Sequence, residues 1–177
     1  MTSEFAERFK AGFRRHAAGV TIVAASTENG PVGATVSSVT SVSASPPMLS
    51  FSMSRSGRSG PKLVESSRLV VHVLAASQAK VAAAFADRSA PRFTAEQGWI
   101  VRTGHPPVLD GAMAGFYGRV VRVLAAGEAW LVLVEVDEVS LGDGAAPLLH
   151  HDRRFWSLGE ALGPAVHAGP AQTLRPL

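Results

Sequence analysis

Between Gly33 and Gly60 the chain reads GATVSSVTSVSASPPMLSFSMSRSGRSG, and twelve of these 28 residues carry a hydroxyl group. Val36, Val39, Val42, Met48, Leu49, Phe51 and Met53 interrupt the serines and threonines at nearly alternating positions. A disordered linker has no reason to do this, whereas strands do. Hydroxyl groups both donate and accept hydrogen bonds, so Thr35, Ser37 and Ser38 beside apolar Val36 could match a flat ring whose edge presents both kinds of group. Further on, Ser54, Ser56, Ser59 and the N–H groups of a glycine-containing turn could surround a phosphate, with Arg58 or Lys62 adding charge-assisted bonds. The same serines would also suit the solvent face of an antiparallel sheet, and composition alone favours that second reading.

Other chemistries find less support. No G-x-G-x-x-G follows a strand and no Walker A loop is present. The glycine cluster SGRSG lacks the spacing of a nucleophile elbow. His150, His151 and Asp152 are adjacent, which puts successive side chains on opposite faces of a strand and argues against convergence on one metal. His72 lies between Val71 and Val73 in an apolar run and reads as a core histidine. The chain has no cysteine, which excludes disulfides, thiolate chemistry and cysteine metal sites, and makes a cytoplasmic location the default expectation.

The 14 arginines outnumber the three lysines, but they are scattered from Arg8 to Arg175 and the chain has a single tyrosine. Clustered cations with interleaved aromatics would mark a nucleic-acid surface, so none is expected. Apolar residues make up 46% and charged residues 18%, the balance of a folded domain. No apolar run approaches the roughly 18 residues a membrane span needs, and the N-terminal segment has no apolar core of a signal peptide.

The elements that must position these residues follow from periodicity. Ser3 can cap a helix in which Phe5, Phe9 and Phe13 form one apolar stripe, expected to pack on the core. Val20–Ser26 reads as a strand, followed by a turn at Asn29-Gly30. Val32–Ser43 and Met48–Ser54 read as two more strands, separated by two prolines. A short helix is expected at Pro61–Ser66, a buried strand over RLVVHVLAA, and a helix over QAKVAAAFA capped by Ser77. The segment from Asp87 to Pro107 reads as a long covering loop. Two long strands then flank Gly127-Glu128, and APLLHHDRRFWSL closes the ordered part. The expectation is a single domain over residues 1–162, mainly β with peripheral helices arranged as a barrel, and an unordered Gly/Pro tail over 163–177.

Taken in order, FRRHAAGVTIVAA, VGATVSSVTSVSASPPMLSFSMSRSGRS, RLVVHVLAASQ, PVLDGAMAGFYGRVV and PLLHHDRRF resemble the flavin reductase family, the FMN-binding split-barrel proteins that supply reduced flavin to two-component monooxygenases. The resemblance spans about Phe13 to Leu158. It implies a six-stranded antiparallel Greek-key barrel, a homodimer, FMN or alternatively FAD as cofactor, and NADH or NADPH as cosubstrate. It places Thr35, Val36, Ser37 and Ser38 along the flavin ring and ribityl chain and continues the cradle through Ser52, Met53 and Ser54. Ser59 would face the phosphate with Arg58 nearby, and Phe93 would pack over the cofactor. His151, Arg153 and Phe155 would border the nicotinamide. Hydride transfer needs no acid, base or nucleophile from the protein, only stacking and positioning. The family often has Gly-Asp-His where this chain has Gly127-Glu128-Ala129, and a tyrosine where it has His150. The missing histidine is what supports the alternative of a non-catalytic carrier or sensor of flavin or haem.

Overall fold

The structure is a computed structural model that describes residues 3–87, 89–144 and 146–159. The Gly/Pro tail expected over 163–177 lies outside the described residues. One antiparallel sheet dominates. Its strands are β2 (Thr21–Thr27), β3 (Gly30–Val36), β4 (Thr40–Ala44), β5 (Pro47–Ser54), β6 (Leu69–Val73), β9 (Ala114–Ala126) and β10 (Ala129–Leu141), in the order β3-β2-β6-β9-β10-β5-β4. Among the described residues no helix is long and apolar enough to cross a membrane.

β2 and β6 are near-continuous apolar runs because both of their faces are covered. Val23, Leu69 and Val71 face one cluster, with Val36 of β3, Leu49, Phe51 and Met53 of β5, and Val132 and Val134 of β10. Residues from strands distant in the sheet order can meet only if the sheet curls on itself. Ile22, Ala24 and Val70 face a second cluster on the outside of the curl, against Val81, Ala82 and Phe85 of helix α3 (Ala79–Ala86) and against Trp99, Leu109 and Leu148.

The chain is thus mainly β with few helices, as expected, but the sheet has seven strands and its ladder does not close. The reason is local. β4 pairs with β5 only from Ala44–Pro47 to Thr40–Ser50. Beyond that point the Ser38 hydroxyl accepts from the Ser52 N–H at 2.9 Å and donates to the Ser52 carbonyl at 3.0 Å. One side chain thereby takes the place of a strand, and it breaks the expected Val32–Ser43 strand into β3 and β4.

A smaller sheet joins β1 (Ala18–Gly19), β11 (Leu148–His151) and β12 (Arg154–Ser157). Its seam with β6 runs through Leu74, whose N–H donates to the Val20 carbonyl and whose carbonyl accepts from the Leu148 N–H. The long loop after α3 contains a short pair, β7 (Trp99–Ile100) with β8 (Val108–Leu109). α2 spans Gly60–Glu65. Ser77 does not cap α3 but lies in the single turn Ala76–Gln78 before it, where the Gln78 side chain accepts from the Ala75 N–H and donates to the Asp110 carbonyl.

Helix α1 (Ser3–Arg14) forms as its periodicity predicts, but it buries no residue. Phe5, Phe9 and Phe13 are 57–62% exposed, which corrects the expectation that the stripe packs on this chain's core. The half of the β9–β10 hairpin next to its turn likewise exposes Val121, Val123, Leu124 and Leu131.

Candidate functional site

All the residues expected to hold the cofactor except Phe93 line one groove of about 450 Å³. Thr35 and Val36 come from the end of β3, Ser37 and Ser38 from the break before β4, and Ser52, Met53 and Ser54 from the end of β5. Arg58 and Ser59 come from the turn into α2. Val36 and Met53 form a buried apolar floor. Alternation along β5 keeps Ser52 and Ser54 exposed while Phe51 and Met53 enter the core.

The hydroxyls divide into two sets. Thr35 Oγ1 donates to the Ala82 carbonyl at 2.9 Å, Ser59 Oγ donates to the Gly33 carbonyl at 2.8 Å, and Ser38 is held by Ser52. Ser54 shares a 3.1 Å contact with Ser56. Among the described residues the side chains of Ser37 and Ser52 have no such partner, so they are the hydroxyls free to meet a ligand.

Two further cavities continue the groove along β3. The first, about 290 Å³, shares Thr35, Ser37 and Ala86 with it and is completed by Val20, His150, Arg153, Arg154 and Phe155. His150 and Phe155 are partners in the β11–β12 register. His151 does not line this cavity. It falls on the alternate face, its ring 6.4 Å from Trp156. The β11–β12 turn is made by Asp152 and Arg153, with φ of +45° and +62°, the primed geometry that suits a two-residue hairpin. The second cavity, about 410 Å³, shares Arg58, Ser59 and Arg92 with the groove and adds Pro31, Val32, Lys62 and Phe93.

Arg92 was not foreseen from sequence. It lines both compartments, while Phe93 turns inward with φ of +58°. The Arg92 guanidinium is held by a 2.8 Å bond to the Asp87 carbonyl and lies 5.5 Å from the Phe85 ring centroid. Phe93 packs on Phe85 and Trp99 at centroid distances of 4.9 and 4.8 Å. Gly33 is required at this place, because a Cβ there would lie 2.8 Å from Phe85 and 3.0 Å from Phe93.

His72, packed against Trp99 and Tyr117, is 1% exposed, and burial pushes its pKa down to about 4 despite a bond to the Pro107 carbonyl. The neutral ring donates through Nε2 to that carbonyl at 2.9 Å. This fits the core role read from the sequence. Gly127 and Glu128 form the β9–β10 turn, where the Glu128 carbonyl accepts from the Arg55 N–H. Ala129 pairs with Ser54. No group of His, Asp or Glu that could hold a metal is found among the described residues.

The fit to a flavin can be judged on the walls themselves. They combine an apolar floor, unpartnered hydroxyls, and two arginines with no carboxylate among the lining residues. These are the groups that a ring edged with carbonyls and N–H and ending in a phosphate requires. Comparison with known proteins agrees. Residues 13–159 match the model of the flavin reductase like domain, and the chain belongs to that family. It is 35% identical over 152 residues to an NADH:FMN oxidoreductase of Rhodococcus qingshengii, covering 84% of this chain and 79% of that protein. Among solved structures it is similar to a flavin reductase domain protein of Arthrobacter sp. FB24, with 32% identity, a TM-score of 0.82 and coverage of 89% and 98% of the two chains. It is also similar to the styrene monooxygenase flavin reductase of Pseudomonas putida S12, with 29% identity, a TM-score of 0.76 and coverage of 87% and 99%.

Proposed function

We propose that this chain is an NADH-dependent flavin reductase that binds FMN, with FAD as the alternative, and delivers reduced flavin to a partner monooxygenase. NADPH is the alternative donor. The observation that carries this reading is the continuity of the groove with the cavity at His150 and Phe155 through Thr35, Ser37 and Ala86. A ring lying on Val36 and Met53 is within reach of a second ring resting against Phe155.

When bound, the flavin supplies the acceptor ring for hydride. The protein's part is positioning. Ser37 and Ser52 offer hydroxyls to the ring edge, Arg58 and Arg92 hold the phosphate, and His150, Arg153 and Phe155 border the nicotinamide. Ser52, Ser54 and Arg58 are exposed, which supports a flavin that exchanges with solvent. The carrier or sensor reading rested on Ala129. That residue lines none of the three compartments, although it pairs with Ser54 of the groove wall.

The curled sheet is read as the split barrel that the resemblance implies for each copy of a homodimer. A second copy would cover the exposed apolar surfaces of α1 and of the outer β9–β10 hairpin, since an uncovered apolar area of that kind marks an interface. Light scattering should give a homodimer. Oxidation of NADH and NADPH by purified protein, without flavin and with FMN or FAD added, tests the activity. Turnover that saturates with added FMN is expected. A protein that binds FMN but oxidises neither nucleotide would sink the reductase reading.

A further inference from the structure

A fourth cavity, of about 500 Å³, shares no lining residue with the groove or its two extensions. Its volume falls within the roughly 300–1,000 Å³ of small-molecule sites. The floor is the outer face of the sheet: Arg68 just before β6, Tyr117 on β9, and Glu138, the register partner of Tyr117 on β10. The roof is the segment between β7 and β8. Two bonds from the sheet hold that segment in place: Ser26 Oγ donates to the His105 carbonyl, and His72 Nε2 donates to the Pro107 carbonyl at 2.9 Å. The cavity is therefore built before any ligand arrives.

One wall is apolar by alternation. Trp99 and Leu109 are partners on the β7–β8 ladder and turn into the core, 5% and 3% exposed. The next pair, Ile100 and Val108, turns the other way to line the cavity and is 46% and 38% exposed. With the Tyr117 ring these two side chains offer a surface for an apolar body.

The charges of the cavity are unevenly committed. Arg68 donates two bonds to the Asp137 carboxylate, at 2.7 and 2.8 Å, and Asp137 is held below the usual carboxylate range first by that contact. Glu138 also lies in the field of Arg68, so two carboxylates already balance that cation. Arg102 of the roof has no ion pair and no side-chain hydrogen bond among the described residues. A guanidinium in that state is ready to take a carboxylate through two parallel bonds. An uncommitted guanidinium beside an apolar wall is the complement of an amphipathic acid.

We propose that this cavity binds a small organic acid, its apolar body against Ile100, Val108 and Tyr117 and its carboxylate on Arg102. The two sites share no wall, so the acid neither needs the ligand of the groove nor competes with it.

The probe is 3-phenylpropanoate, with 3-phenylpropan-1-ol and 3-phenylpropylamine as neutral and cationic counterparts of the same size. Calorimetric titration into the full chain should give one saturable site for the acid, with a Kd of about 1 mM or tighter. Saturating FMN should leave that value unchanged within about two-fold, as expected of uncoupled sites. The alcohol should bind roughly five-fold more weakly than the acid. Arg102→Gln should abolish the difference between acid and alcohol. Glu138→Gln removes a like charge and should tighten the acid about two-fold. Neither substitution should change the Kd for FMN. Displacement of the acid by FMN would place it in the groove and overturn the site. So would an amine that binds more tightly than the acid, an undiminished preference for the acid in Arg102→Gln, or a lack of saturation by about 10 mM.

Discussion

The groove and the aromatic knot beneath it share the loop after α3, and that loop divides between them at one peptide bond. Arg92 rises to the groove, and Phe93 descends into a set of rings formed with Phe85, Trp99 and His72. The groove is exposed, hydroxylated and cationic, with several donors left without partners. The knot is buried, with ring centroids 4.8–5.6 Å apart. Gly33 is the point of contact. Its carbonyl accepts from Ser59 in the groove wall, and its missing side chain makes room for the rings below. Substitutions on the two sides of this boundary should therefore fail in different ways: those in the knot through stability, those in the groove through binding.

The largest effect should come from the knot. Trp99 is 5% exposed and touches Phe85, Phe93 and His72. Trp99→Ala should cost about 3–5 kcal/mol of stability in denaturant titration. Where the variant is still folded, its Kd for FMN should change by less than about five-fold. A loss of FMN affinity without a loss of stability would abolish the distinction between the two regions.

His72 gives the knot a pH dependence of comparable size. Its folded pKa of about 4 lies below the ordinary 6.5, so the unfolded chain binds the proton more readily between those values. The contribution is fully present above about pH 6.5 and is lost as pH falls toward 4. A shift of that size corresponds to about 3 kcal/mol. Denaturation at a series of pH values should show the decline, and His72→Leu should flatten it whatever its own effect on stability. An unchanged slope in that variant would assign the dependence to other groups.

Arg92→Ala is expected to reverse the pattern. Loss of a charge-assisted phosphate contact should weaken FMN about ten-fold, with riboflavin affected much less and thermal stability nearly unchanged. Equal weakening of riboflavin would mean that Arg92 acts through the Phe85 ring, on which it lies, and not through charge.

The groove was legible in the sequence to the extent that alternation exposes it. Ser52 and Ser54 point out of a strand whose Phe51 and Met53 point in, and period two suffices to predict that. The fate of each hydroxyl was not legible. Thr35, Ser38 and Ser59 bond to Ala82, Ser52 and Gly33, partners 14 to 47 residues away, and no local pattern encodes such pairs. Arg92 is not legible from sequence, because the family resemblance marks its neighbour Phe93 instead. The available signal was an arginine beside Pro91 in a loop, where the chain turns sharply enough to send adjacent side chains apart. His150 and His151 were separable only by register, which the Asp152-Arg153 turn sets without the glycine that usually announces a two-residue hairpin. The phenylalanine stripe of α1 showed a helix correctly, but amphipathicity does not say whose surface will cover it.

The smallest effects offer the finest division within the groove itself. Ser37 has no hydrogen-bond partner among the described residues, whereas Ser59 donates to Gly33 at 2.8 Å. If free hydroxyls serve the ligand and committed ones serve the fold, Ser37→Ala should weaken FMN and riboflavin alike by roughly three-fold, with stability unchanged. Ser59→Ala should lower stability by about 1 kcal/mol, because it leaves the carbonyl of buried Gly33 with only the distant Arg92 contact at 3.5 Å. Its effect on FMN should be the smaller of the two. The opposite result, FMN affinity lost in Ser59→Ala with riboflavin spared, would show that the Ser59 hydroxyl leaves Gly33 and turns to the phosphate when ligand binds. The boundary between binding and stability would then pass through a single side chain, which both regions would hold in turn.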